Sequence, residues 1–177
     1  FTLDGPTIDF YEKVVTPPPP PPPPARASII FPFCPCSSFS IVSGNHRRTP
    51  SEPWGRSDLS TEDRAYVERH NVLIRATIRL IDACVRSSVE FVCENVATRG
   101  DSTTHAYWER YERWGFLWDI DEFKAYERVH NASRILVAHC AYDSRVQKYV
   151  ELLCSHGLLD RARAILGDKQ CKHAFHP

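Results

Sequence analysis

Two short apolar runs, each cut off by residues able to do chemistry, constrain this chain more than any other feature. The first, Ser28-Ile29-Ile30-Phe31-Pro32-Phe33, stops at Cys34-Pro35-Cys36-Ser37-Ser38-Phe39-Ser40; the second, Val89-Glu90-Phe91-Val92-Cys93, stops at Glu94-Asn95-Val96. β-Branched and aromatic runs of this length fit buried parallel strands, whose C-terminal ends present functional groups at a sheet edge. One end then offers a thiol and the other a carboxylate.

The intervening sequence supplies the connection that parallel strands require. Ser60-Thr61-Glu62-Asp63 reads as a helix start, with a capping hydroxyl and acidic side chains in the first turn, and the helix is predicted to run to about Ser87. Val67, Ile74, Ile78, Ile81 and Val85, with Leu73, Leu80 and Cys84 beside them, recur at three- and four-residue spacing as one broad apolar face. Arg75, Arg79, Asp82 and Arg86 fall on the other side, as a solvated face. Strand, helix and strand make a right-handed crossover with the strands parallel. Residues 37 to 59, a polar loop with Gly44, Pro50, Pro53 and Gly55, exceed the usual connection length and invite a functional explanation.

Residues 101 to 130 are rich in aromatic side chains (Tyr107, Trp108, Tyr111, Trp114, Phe116, Trp118, Phe123, Tyr126) and are predicted as two short helices broken near Gly115, packed into the core. Ile135 to Ala138 and Val146 to Leu153 are predicted strands, turned around Tyr142-Asp143-Ser144. Leu158 to Leu166 is a last helix ending at Gly167. The expected fold class is therefore α/β: a partial Rossmann-like sheet of about four strands, a long crossover helix and a small helical insertion, over residues 28–167. Residues 1–27 precede it as a disordered segment in which Pro17 to Pro24, eight consecutive prolines, form a polyproline II rod about 25 Å long. Residues 168–177 are a Cys/His-containing tail.

The 22 Lys and Arg balance 22 Asp and Glu, which excludes nucleic-acid binding through bulk charge but not through a local basic face. Seven cysteines, an odd number, and the lack of a signal-like or ~20-residue apolar stretch point to a reducing intracellular compartment, nucleus or cytoplasm, and to no membrane partner. A chain that opens on Phe1 and holds no Met reads as a fragment or an internal translation.

Pro35-Cys36-Ser37-Ser38-Phe39-Ser40 resembles the P-C-x-x-F-S catalytic loop of DNA (cytosine-5) methyltransferases, and Glu94-Asn95-Val96 resembles the E-N-V motif that follows it in that family. Order, strand contexts and the helix between agree. More loosely, Arg99-Gly100-Asp101, Leu117-Trp118 and the segment from Cys140-Ala141-Tyr142 to Lys148 are similar to diverged methyltransferase-like domains of phages and mobile elements. The resemblance implies a DNA partner, S-adenosylmethionine as methyl donor, and Cys36 and Glu94 as catalytic residues, with Pro35, Ser40, Asn95, Val96, Arg145 and Lys148 in the substrate site. Carbon 5 of cytosine is a poor nucleophile. A thiolate must first add at carbon 6 while an acid serves ring nitrogen 3, giving an enamine that attacks the sulfonium methyl. A nearby cation, from Arg47, Arg48 or Arg56, would lower the thiol pKa; apolar flanks Val92, Cys93 and Val96 would keep Glu94 partly protonated. The target base must leave the duplex stack to reach such a pocket.

The chain departs from that family in several places. No glycine-rich loop or following acidic residue for S-adenosylmethionine precedes Pro17, so the cofactor half of the sheet is expected to be missing and the copy truncated. Ser37 stands where the family most often has Gln. Gln147-Lys148-Tyr149-Val150-Glu151 aligns with the family's Q-x-R-x-R strand but replaces both arginines, leaving Arg145 or Lys148 for the cytosine O2. No sequence-reading domain is visible before Pro177. Cys171, His173 and His176, with Cys154 or His156, offer a zinc-type ligand set. They support the alternative of a non-catalytic nucleic-acid-binding or scaffolding module of a mobile element, using the aromatic segment as its surface.

Overall fold

The computed structural model describes residues 29, 30, 32, 34–41, 46–104, 106–142, 148–166 and 171. They form an α/β fold in the order β1 (Ile29–Ile30), α1 (Thr61–Arg86), β2 (Glu90–Val96), α2 (Asp121–His130), β3 (Ser133–Ala138), β4 (Tyr149–Cys154) and α3 (His156–Leu166). Strands β2, β4 and β3 are antiparallel neighbours, registered from Val92 opposite Cys154 to Val96 opposite Val150, and from Ser133 opposite Cys154 to Ala138 opposite Tyr149. β1 adds two residues parallel to β2, Ile29 opposite Glu90 and Ile30 opposite Phe91. The expected strand through Phe33 is regular for those two residues alone among the described ones. Pro32 and Pro35 have no amide hydrogen to give a ladder. Because β4 lies between β2 and β3, those two strands run in one direction without touching, and most of the sheet is antiparallel rather than Rossmann-like.

Helix α1 begins where its sequence dictates: the Ser60 hydroxyl accepts the Asp63 amide at 3.1 Å. Its buried side, Val67, Ile74, Ile78, Ile81 and Cys84, packs with Phe91 and Cys93 of β2, Leu153 of β4 and the aromatic insertion. Two expectations fail here. Leu73 and Leu80 are exposed (54% and 39%), as is Val72 (58%), because each leucine lies one residue, about 100°, off the buried line through Ile74 and Ile81. Asp82 is not on a solvated face but accepts the Tyr126 hydroxyl at 2.7 Å. On the other side of the sheet, Leu158 and Leu159 of α3 meet Val92, Ile135, Val137, Val150 and Cys154. The result is helix, sheet and helix in three layers.

The aromatic segment is core, as expected: Phe116, Leu117, Trp118, Phe123 and Tyr126 are buried, with Trp118 edge-on to Phe123 and Phe123 edge-on to Tyr126. Of its two predicted helices only α2 is α-helical; the first shrinks to the 3₁₀ turn Glu109–Tyr111. Burial also removes most of this segment as a binding surface, leaving Trp108 half-exposed. Gly115 lets the insertion dock on the long loop: its amide donates to the Arg48 carbonyl at 2.9 Å, and a Cβ there would sit 2.5 Å from the Thr49 carbonyl oxygen. Asn131 ends α2 in the left-handed conformation (φ 52°) that asparagine tolerates. Among the described residues, no helix is long and apolar enough to cross a membrane.

Candidate functional site

The topology brings four chain segments to one edge of the sheet. The C-terminal ends of β1, β2 and β3 and the start of β4 meet there, so the Cys34 to Ser38 turn, Glu94 to Val96, His139 and Lys148 become neighbours despite wide separation in sequence. Ligands of open α/β sheets bind outside the carboxyl ends of parallel strands.

The thiol side of this edge is immobilised by buried polar groups. Phe39 donates its amide to the Cys36 carbonyl at 3.0 Å, closing a turn over Ser37 and Ser38. Asn95, fully buried, donates its side-chain amide to the Cys34 carbonyl at 3.4 Å and accepts the Val96 amide at 3.0 Å. Val96 in turn accepts the Trp118 indole N–H at 3.0 Å. Arg48 is 1% exposed; it donates to the Pro53 carbonyl (2.5 Å), the Ser38 hydroxyl (3.2 Å) and Asn71 Oδ1 (2.9 Å), and its guanidinium lies 4.2 Å over the Phe39 ring. Thus one buried cation ties the turn, the long loop and α1 together. Burial lowers its pKa to about 10, still cationic at neutral pH. Ser37, exposed, is hydrogen bonded to His70 Nε2 at 2.9 Å, while His70 Nδ1 contacts the Tyr66 carbonyl at 2.9 Å.

The two thiols of Cys34-Pro35-Cys36 differ. Cys34 is buried, and desolvation pushes its pKa up to about 12 in spite of a Thr77 hydrogen bond and the Arg48 charge. Cys36 remains partly exposed. Of the loop arginines expected to supply a cation, Arg47 is paired with Asp63 (2.7 Å), Arg56 with Asp58 (2.5 Å), and the Arg48 charge bears on Cys34.

The opposite side is open and charged. Glu94 is partly exposed; its Oε1 is buried and has no hydrogen-bond partner, while Lys148 Nζ lies 3.6 Å from it, an ion pair without a hydrogen bond. His139, immediately after β3, donates its backbone amide to the Lys148 carbonyl at 2.8 Å. Burial, then the Lys148 charge, lowers the His139 pKa, with Glu94 acting against them.

Of the predicted residues, Glu94 pairs with Lys148, Asn95 and Val96 lie beside them on β2, and Cys36 sits on the turn after β1 at the same sheet edge, with Pro35 and Ser40 partly exposed on that turn. Asn95 and Val96 serve as clamps on the neighbouring backbone rather than as exposed binding groups. Arg145, His173 and His176 lie outside the described residues. Cys171 packs beside Cys140 and Tyr149, and no group of three or more His, Cys, Asp or Glu among the described residues could hold a metal ion. Cys154 is buried in the α3 layer. His139 was missed, although it obeys the rule that selected Cys36 and Glu94: it is the first polar residue after an apolar strand. Comparison with protein-family models, with curated proteins and with solved structures returned no match.

Proposed function

We propose that this chain is the base-binding half of a DNA (cytosine-5) methyltransferase-like domain, with Cys36 as the thiol that adds to carbon 6 of an extruded cytosine and Glu94 as the acid facing ring nitrogen 3. The observation that carries this reading is the β1–β2 pairing, which sets the Pro35-Cys36 turn and Glu94 at one sheet edge across a helical crossover. The chemistry of Glu94 supports it further: a buried carboxyl oxygen without a hydrogen-bond partner suits the amino group that neighbours ring nitrogen 3 of cytosine. Lys148, 3.6 Å from Glu94, takes the cytosine O2 in this reading in lieu of the family's arginines.

In the step assigned to these residues, the Cys36 thiol gives its proton to solvent as its sulfur bonds to carbon 6, the carbon 5–carbon 6 π pair shifts between carbons 4 and 5 while the carbon 4–nitrogen 3 π pair moves onto nitrogen 3, and nitrogen 3 takes a proton from Glu94, leaving Glu94 as a carboxylate. S-adenosylmethionine would supply the methyl group to carbon 5. The seven glycines are scattered singly and no described strand ends in a glycine-rich turn, so these residues do not fit that group and no step is derived through it.

The test is DNA carrying 2-pyrimidinone in place of cytosine, an electrophile that adds a thiol at carbon 6 without a methyl donor. The full chain should form a covalent adduct by mass spectrometry, absent in Cys36→Ser and slowed in Glu94→Gln. An adduct that survives Cys36→Ser, or none with the unaltered chain, overturns the reading.

A further inference from the structure

We infer that the outer face of α1 is a docking surface for an acidic amphipathic helix of a partner protein. This face lies opposite the buried one. Val72, Leu73 and Leu80 project from it at 58%, 54% and 39% exposure, and Ala65 and Ala76 are exposed beside them. On a helix of 3.6 residues per turn these positions fall within an arc of about 100°, with Ala76 between the three large side chains. Ala76 carries a smaller side chain than any of these three and so leaves room for an anchor from a second helix with apolar residues spaced i, i+3, i+4, i+7.

Charge identifies the occupant. Arg75, Arg79 and Arg86 form a row along one border of the apolar arc, and Arg69 stands within it; all four are exposed. Arg75 is paired with Glu68 at 2.7 Å, whereas among the described residues no carboxylate pairs with Arg69, Arg79 or Arg86. An apolar stripe bordered by unpaired guanidinium groups is complementary to a helix with leucine-like anchors and flanking carboxylates. A second copy of this chain would set arginine against arginine across a two-fold axis. A nucleic-acid backbone would leave the apolar arc unrewarded. An anionic membrane favours large aromatic anchors, and this arc carries none.

The probe is a fluorescent lactam-bridged helix of about 16 residues, with leucines at i, i+3, i+4 and i+7 and glutamates flanking them, titrated into the full chain by anisotropy. Saturable binding is expected, weakened about tenfold in Leu73→Ser/Leu80→Ser and about tenfold in Arg79→Glu/Arg86→Glu. A peptide with lysines in place of the glutamates should rescue the arginine variant alone. All these positions are exposed, and circular dichroism checks that each variant keeps its helix content. No saturable binding, equal binding by the serine variant, co-sedimentation with phosphatidylserine vesicles without peptide binding, or a dimer dissolved by the serine pair would each overturn the assignment.

Discussion

The two walls of the candidate site are built in opposite ways. At the end of β1, Cys34, Ser38, Phe39, Arg48 and Asn95 are all buried, and hydrogen bonds to Pro53, Asn71 and Thr77 tie them to the loop and to α1. Across the edge, Glu94, His139 and Lys148 are partly exposed and interact through charge over 3.6 Å. Water competes weakly with the first kind of contact and strongly with the second. The thiol turn is thereby fixed in place, while the contacts of the carboxylate wall stay open to water. A site that must hold a nucleophile still and move a proton needs one wall of each kind.

The sharpest contrast should come from thiol chemistry. At pH 8, a Cys34 pKa near 12 leaves roughly one molecule in ten thousand as thiolate, and Cys93 and Cys154 are likewise raised by burial. Iodoacetamide mapped by peptide mass spectrometry should therefore mark Cys36 long before Cys34, two residues away. Equal labelling would show that the thiol wall is not closed. Next in size is Arg48→Met, which strands the Ser38, Asn71 and Pro53 partners and should cost about 3 kcal/mol in urea unfolding. Arg48→Lys should not rescue it, since one ammonium cannot span three acceptors. Asn95→Ala, which frees the Cys34 carbonyl and the Val96 amide, should cost about 2 kcal/mol. Lys148→Ala on the open wall should cost under ~1 kcal/mol, because its pair with Glu94 is half in water. A Lys148 effect as large as that of Arg48 would erase the distinction between the walls.

The elements were readable in the sequence where side-chain periodicity and local capping decide them. Ser60, the apolar spacing of α1 and the β-branched runs of β2, β3 and β4 announce their structures directly. The parallel pairing of β1 and β2 was readable too, because a helical crossover leaves the ends of two such strands at one edge. What could not be read depends on partners distant in the chain. Arg48 looks like any loop arginine until Asn71, 23 residues on, and Phe39 enclose it. Leu73 and Leu80 look like core because three- and four-residue spacing alone admits positions one residue off the buried line. The place of β4 between β2 and β3 follows from pairing, which no local pattern encodes.

The smallest effect tests the open wall most directly. Burial and the Lys148 charge hold the His139 pKa below its usual value near 6.5, whereas Glu94 pulls it up. A histidine with a depressed folded pKa takes up its proton in the unfolded chain first as pH falls. Its contribution to stability is therefore complete above about pH 6.5 and is lost as pH drops from there toward the folded value. The difference in urea midpoint between the unaltered chain and His139→Gln, followed from pH 7.5 to 5.5, should show this loss with the sign given. Ring resonances of His139 should titrate higher in Lys148→Ala, which removes a repelling cation, and lower in Glu94→Gln, which removes an attracting anion. Shifts in the same direction for both variants would mean that Glu94 and Lys148 do not face the ring from one shared edge, and the open wall would have to be redrawn without His139.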